Sequence, residues 1–179
     1  MIEIIILIVS LLLGWGIVIY NLLVRDKNRV LAAWSDIDVQ LKRRYDMIPK
    51  LVQAVKQYAA YESATIEAVT ELRAQSEHTN EVGKKGKIES VLGSELRKLI
   101  AIAEDYPELK ANQSFLDLQN NLTAVEQHIQ YARRYYNGAV RNLNIRIESF
   151  PDLIIARLFV YRPAGFFELD DIAEREYRL

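Results

Sequence analysis

The sequence predicts an all-α protein in which an N-terminal transmembrane helix anchors an antiparallel bundle of long helices. Three observations lead there. The first 24 residues hold almost no charge and are overwhelmingly apolar. Apolar positions then recur in alternating steps of four and three along most of the chain, the period of a helix face. Chain breakers are scarce, with 7 Gly and 4 Pro in 179 residues, too few for the many turns of an all-β fold.

Residues 4–24 are an apolar run broken only by Ser10 and Asn21. As a helix the run spans roughly 31 Å, the thickness of a bilayer's hydrocarbon core. A cleaved signal peptide fits less well. The head is Met-Ile-Glu rather than basic, the run is longer than a signal's apolar core, and no Ala-x-Ala follows. Orientation comes from the flanks: Glu3 precedes the run, whereas Arg25, Lys27 and Arg29 follow it, then Lys42, Arg43 and Arg44. Basic residues stay on the cytoplasmic side, so the N-terminus is expected outside and the main domain inside.

Beyond the anchor (residues 1–26), a helical domain is expected over 27–151 and a tail over 152–179. The first stripe runs Val30, Trp34, Ile37, Leu41, Tyr45, Ile48, Val52, Val55, Ala59, and extends to Ile66 and Val69. Pro49 lies inside it, where a kink or tight junction is expected because the register survives on both sides. One straight helix over 27–82 would be about 80 Å long, with only a short return helix beside it. A fold-back between Tyr58 and Ser63 would give four helices of compatible length, although no Gly or Pro marks it. Gly83-Lys84-Lys85-Gly86-Lys87 reads as a loop. A helix follows from about Ile88 to Asp105, closed by Pro107. The longest stripe runs from Phe115 through Leu122, Ile129, Tyr136 and Leu143 to Phe150, and ends at Pro151. Such stripes must bury one another, which defines the bundle.

The residues offer little for catalysis. With no Cys, disulfides, thiol chemistry and thiolate metal sites are excluded. His78 and His128 are the only histidines, and neither has Glu three residues before it, as a di-iron bundle would need. The 83–87 segment lacks the spacing and the preceding strand of a phosphate loop. Glu62, Glu67, Glu104, Asp105 and Glu126 read as solvated or paired carboxylates, with Glu126 and Arg133 a candidate buried network. No cofactor or small-molecule substrate is evident, and a net charge of −1 gives no drive toward nucleic acid.

Polar residues cluster instead in two stretches: Trp34, Asp38, Lys42, Arg43 and Arg44; and Arg133, Asn137, Arg141 and Asn144. These are the candidate partner- or lipid-facing residues. Arg25, Lys27 and Arg29 are close enough to the span to meet anionic headgroups, whereas Lys42 lies roughly 27 Å beyond the end of the span on a straight helix. The pattern Tyr20-Asn21-x-x-Val24-Arg25-x-x-Asn28 also recurs as Tyr136-Asn137-x-x-Val140-Arg141-x-x-Asn144.

AAWSDIDVQLKRRYDMIPKLVQAVKQYA (32–59), AEDYPELKA (103–111) and FLDLQNNLTAVEQHIQYARRYYNGAVRNLNIRIESFP (115–151) closely resemble the LemA family. The likeness extends to Tyr20-Asn21 near the anchor and to Phe166-Phe167-Glu168. It implies a membrane-anchored, up-and-down four-helix bundle with the N-terminus outside, at the inner membrane of a bacterium. It implies no established reaction and no catalytic residues, and one branch of the family is associated with forming magnetosome membranes. Lys50 and Tyr61 stand where the family often has Asn after the proline and His before the glutamate. The expected function is therefore a non-enzymatic scaffold that recruits a protein partner or self-assembles. Direct membrane organisation is the alternative, and an enzyme is a remote one.

Overall fold

The computed structural model describes residues 1–59 and 61–167, and every regular element among them is a helix. The first, α1 (Ile2–Lys56), is 55 residues long, about 82 Å end to end. Its opening turns are apolar on all sides, and Ile4, Leu7, Leu11 and Leu13 are each more than 60% exposed. Among the described residues this is the one helix long and apolar enough to cross a membrane. From Ile19 onward one side is buried, through Leu23, Val30, Ala33, Ile37, Leu41, Ile48, Leu51 and Val55.

The expected stripe on α1 is correct in period and slightly off in phase. Trp34 and Val52 are half-buried, and Ala33 and Leu51 take the deeper places. The buried side of α1 is wide enough to take both expected positions such as Ile37 and Leu41 and their neighbours Ala33 and Leu51. Pro49 does not end the helix: α1 continues through it to Lys56. The chain folds back after Lys56 instead, where Ala59 is buried and its N–H bonds the Val55 carbonyl at 2.8 Å.

Two helices follow, α2 (Ser63–His78) and α3 (Val82–Glu104). The expected loop at 83–87 is corrected here, since those residues form the first turns of α3. Lys85 and Gly86 are buried, and a Cβ on Gly83 would stand 3.9 Å from the Phe166 carbonyl oxygen. Helical glycine costs about 1 kcal/mol; at this end of α3 the backbone lies against its neighbours. Pro107 opens the short α4 (Pro107–Lys110) rather than merely closing α3.

The long return helix is α5 (Gln113–Glu148), capped by the Asn112 side chain, which accepts from the Phe115 N–H. Residue pairs along its contact with α1 are Arg44 with Glu126, Trp34 with Tyr136, and Asp26 with Arg146. The numbers rise on one helix as they fall on the other. Phe150, expected at the end of the core stripe, is 78% exposed. What was expected as a tail begins with a further helix, α6 (Asp152–Leu158), followed by an extended segment over residues 161–167. The acidic end of that tail lies outside the described residues.

Candidate functional site: a buried ion cluster and a backbone clasp

Where α1, α2, α3 and α5 converge, five polar side chains share one buried cluster. Arg44 lies on the core side of α1 and is 2% exposed. Its Nη2 meets Glu89 of α3, and its Nη1 donates to Glu126 Oε2 of α5 at 2.8 Å. The other oxygen of Glu89 accepts from the hydroxyls of Tyr45 and Ser76, which lie 2.8 Å apart. Four helices are thus tied to one guanidinium and one carboxylate. Burial pulls the Arg44 guanidinium down from its ordinary value while Glu126 raises it. A guanidinium starts so high that it stays cationic at neutral pH. Burial also pushes the Tyr45 phenol up, with the Ser76 hydrogen bond and Arg44 acting the other way.

A buried charge held this way fixes register. Each partner is positioned by the others, and a slip of either helix would strand a charge in the core. Beside the cluster, between α3 and α5, runs a groove of about 300 Å³ lined by Gly93, Leu96, Ile100, Leu122 and Glu126, with Arg44 at its floor. The expected pairing of Glu126 with Arg133 is corrected: Glu126 bonds Arg44 instead. The two lie seven positions apart on α5, about 10 Å along the axis, too far for a contact on one helix.

The asparagines of α5 have a structural task. The Asn137 side chain donates to the Phe167 carbonyl at 3.1 Å and accepts the Phe167 N–H at 2.9 Å. Asn144 does the same for Ala164, at 3.0 and 2.8 Å. Seven residues of helix rise about 10.5 Å, and three residues of extended chain span about 10 Å. The two amides therefore match two backbone positions three apart, as a neighbouring strand would. Between them the Tyr136 hydroxyl donates to the Gly165 carbonyl at 2.8 Å, and burial pushes that phenol up. The clasp seats Phe167 in the core, 6.0 Å from the Trp34 ring, which also faces Tyr136 at 5.5 Å.

Of the residues singled out in the sequence, the structure therefore commits Trp34, Arg44, Asn137 and Asn144 to internal contacts. Lys42, Arg43 and Arg141 are exposed and Arg133 is half-buried. Asp38 is exposed and 3.7 Å from Lys85, whose ammonium lies 6.0 Å from the Trp34 ring centre. Arg25, Lys27 and Arg29 are exposed where α1 leaves its apolar run. Beside them Asp26, 4% exposed, accepts from Arg146 Nε at 2.6 Å, and Arg146 also bonds Asp152 at 2.9 Å. The Asp26 hydrogen bond holds Arg146 above its ordinary value. In the repeated pattern the two copies differ. Tyr136 and its asparagines clasp residues 164–167, whereas Asn21 and Asn28 are exposed and Tyr20 packs on Phe159, rings 4.6 Å apart.

Sequence reasoning missed Tyr45, Ser76 and Glu89 as a group. Ser76 stands seven residues after Val69, and Glu89 three before Leu92, so both occupy core positions of their stripes. A polar residue at a core position is the signal that pointed to them.

An exposed apolar helix continuous with a domain of helices locked by buried ion pairs defines a membrane-associated helical protein. More specifically, the chain belongs to the LemA family, whose profile matches residues 33–178. It is 28% identical over 152 residues to Protein LemA of Metamycoplasma hominis, covering 82% of this chain and 68% of that one. It is 24% identical over 178 residues to Magnetosome protein MamQ 2 of Paramagnetospirillum magneticum, covering 83% and 64%. Against Magnetosome protein MamQ of Magnetospirillum gryphiswaldense the identity is 22% over 174 residues, with the same coverage. The chain spans just under two thirds of the length of these magnetosome relatives.

Proposed function

We propose that this protein is a non-enzymatic, membrane-anchored scaffold or adaptor of the bacterial inner membrane, which recruits a protein partner or assembles with itself. In this reading residues 4–24 span the bilayer with the N-terminus outside. Residues 27–151 form an antiparallel, up-and-down four-helix bundle in the cytoplasm. The observation that carries the reading is the outward side of α5. Tyr131 and Tyr135, one turn apart, are 62% and 61% exposed, and the Arg134 guanidinium sits 4.8 Å from the Tyr131 ring centre. Tyrosine and arginine are enriched among the side chains that carry most of the binding energy at protein interfaces. Of the carboxylates weighed for acid–base work in the sequence, Glu126 is bound to Arg44.

Chemical crosslinking of intact membranes followed by affinity capture tests the proposal. The expected result is a discrete larger species, either a multimer or a complex with one other protein. Recovery of monomer alone would count against it. A second reading, direct organisation of the membrane, is favoured by the apolar outer surface of α6.

A further inference from the structure

We infer that residues 150–160 dip into the lipid leaflet on the domain side of the membrane and lie against the anchor helix, with acyl chains as their outer contact. This inference rests on the reading that residues 4–24 span the bilayer.

The first observation is where α6 packs. A Cβ on Gly16 would stand 3.6 Å from Ile155 Cδ1, and the Tyr20 ring meets Phe159. Both α1 residues belong to the apolar run, not to the domain beyond it. The charged collar of Asp26, Arg146 and Asp152 lies at the run's end. Gly16 is about 15 Å back along the axis from Asp26, within the depth of one leaflet of a core about 30 Å thick. The chain thus leaves α5 at the collar, descends beside the anchor, and returns where Tyr161 meets Lys27.

The second observation is what this segment turns outward. Phe150, Ile154, Leu158, Phe159 and Val160 are all exposed, with Leu158 at 71% and Val160 at 70%. In water they would form a contiguous apolar patch beside an already bare anchor; in a leaflet they are solvated. Arg157 on this segment and Arg162 just beyond it are exposed and long enough to carry their charges to the headgroups.

The backbone supplies the third. A lipid-facing segment must satisfy its own N–H groups. The Leu153 N–H bonds the Ser149 carbonyl and the Ile154 N–H bonds Pro151, at 2.8 and 3.1 Å. At the other end Val160 bonds Arg157 and Tyr161 bonds Ala156, at 3.1 and 2.9 Å, which closes the helix in a Schellman turn. The left-handed position of that turn, φ 54°, is held by Val160 rather than by the usual glycine. A β-branched residue there costs roughly 1–2 kcal/mol, and its side chain is mostly exposed. Burial of the isopropyl group in lipid offsets that strain.

The chain has no cysteine, so single nitroxide labels at Leu158→Cys, Ile8→Cys and Lys42→Cys report unambiguously. The full chain is reconstituted in phosphatidylcholine–phosphatidylglycerol vesicles, and each label's collisions with oxygen and with a water-soluble nickel chelate are measured. The expected result is that label 158 matches label 8, with high oxygen access and loss of nickel access, while label 42 shows the reverse. Nickel access at 158 with none at 8 would overturn the inference and leave the span intact. Poor access to both reagents at 158 would overturn it in favour of a protein cover. Nickel access at 8 would sink the spanning reading, and the inference with it.

Discussion

Arg73 completes a hydrogen bond that Pro49 removes from the long helix. In an unbroken helix the N–H at position 49 would bond the carbonyl of residue 45, but proline has no N–H to give. The freed Tyr45 carbonyl instead accepts from Arg73 Nε of α2 at 2.9 Å. A gap in the backbone ladder of α1 is thereby the point where the folded-back helix attaches. Removing Arg73 with Arg73→Ala leaves that part-buried carbonyl unsatisfied, and stability should fall by roughly 1–3 kcal/mol. In a Pro49→Ala background the helix supplies its own donor, so the same change should cost clearly less. Urea melts of the four variants in detergent measure the coupling; equal costs in both backgrounds would show the contact to be incidental.

The Arg44 cluster makes a stronger demand. Glu89→Ala strips a buried guanidinium of one partner and two hydroxyls of their acceptor, so a loss of about 3–5 kcal/mol is expected. Replacing both ends, Arg44→Met with Glu89→Met, removes the stranded charge as well as the pair, and should recover most of that loss. Thermal melts decide it. A double variant as unstable as the sum of the singles would show that Arg44 and Glu89 are not coupled, and would contradict the account of the cluster.

Tyr45 gives the cluster a signature at high pH. Its phenol ionises above the ordinary value in the folded protein, mainly through burial. The unfolded chain therefore loses its phenolic proton first as the pH rises, near about 10. Stability is fully present below that value, and declines as pH climbs from there toward the folded-state value. Ultraviolet titration of tyrosinate should show late-ionising phenols, Tyr136 among them, and their number should fall by one in Tyr45→Phe. An unchanged titration curve in that variant would contradict the burial argument.

The clasp on residues 164–167 predicts a local effect with little global cost. Asn137→Ala removes both bonds to Phe167, and Asn144→Ala both bonds to Ala164. Hydrogen exchange at the Phe167 amide should accelerate sharply in the first variant, and at the Ala164 amide in the second. Asn137→Asp keeps an acceptor for the Phe167 N–H and should retain much of its protection. Unchanged exchange in both alanine variants would mean that the Phe167 side chain, not the amides, seats the segment.

Much of this was legible before any coordinates, and the exceptions have physical reasons. The stripes from Val30 to Ala59 and from Phe115 to Ile147 follow from burial on one face, which period alone reveals. The fold-back after Lys56 could be argued only from helix lengths, because Ala59 makes the turn by packing rather than through glycine or proline. Gly83 and Gly86 looked like a loop because glycine is a poor helix former, yet both lie within α3, where Gly86 is buried. The Arg44 cluster gathers residues 82 and 45 positions apart in the chain, distances over which no periodicity speaks. Lys42 and Arg43 look the same as Arg44 in sequence; only the phase of α1 decides which of the three is buried. Phe150 fell outside the core because α5 ends at Glu148, so the helical period that places Leu143 and Ile147 no longer sets where Phe150 points.

The proposed scaffold role is tested most directly by placing a photoreactive residue at Tyr135 of α5, and separately at Lys42 of α1, in cells expressing the full chain. After irradiation the membrane fraction is analysed by mass spectrometry. The account predicts a defined adduct from Tyr135, either with one other protein or with a second copy of this chain. Efficient labelling of water and lipid alone, from both positions, would contradict it.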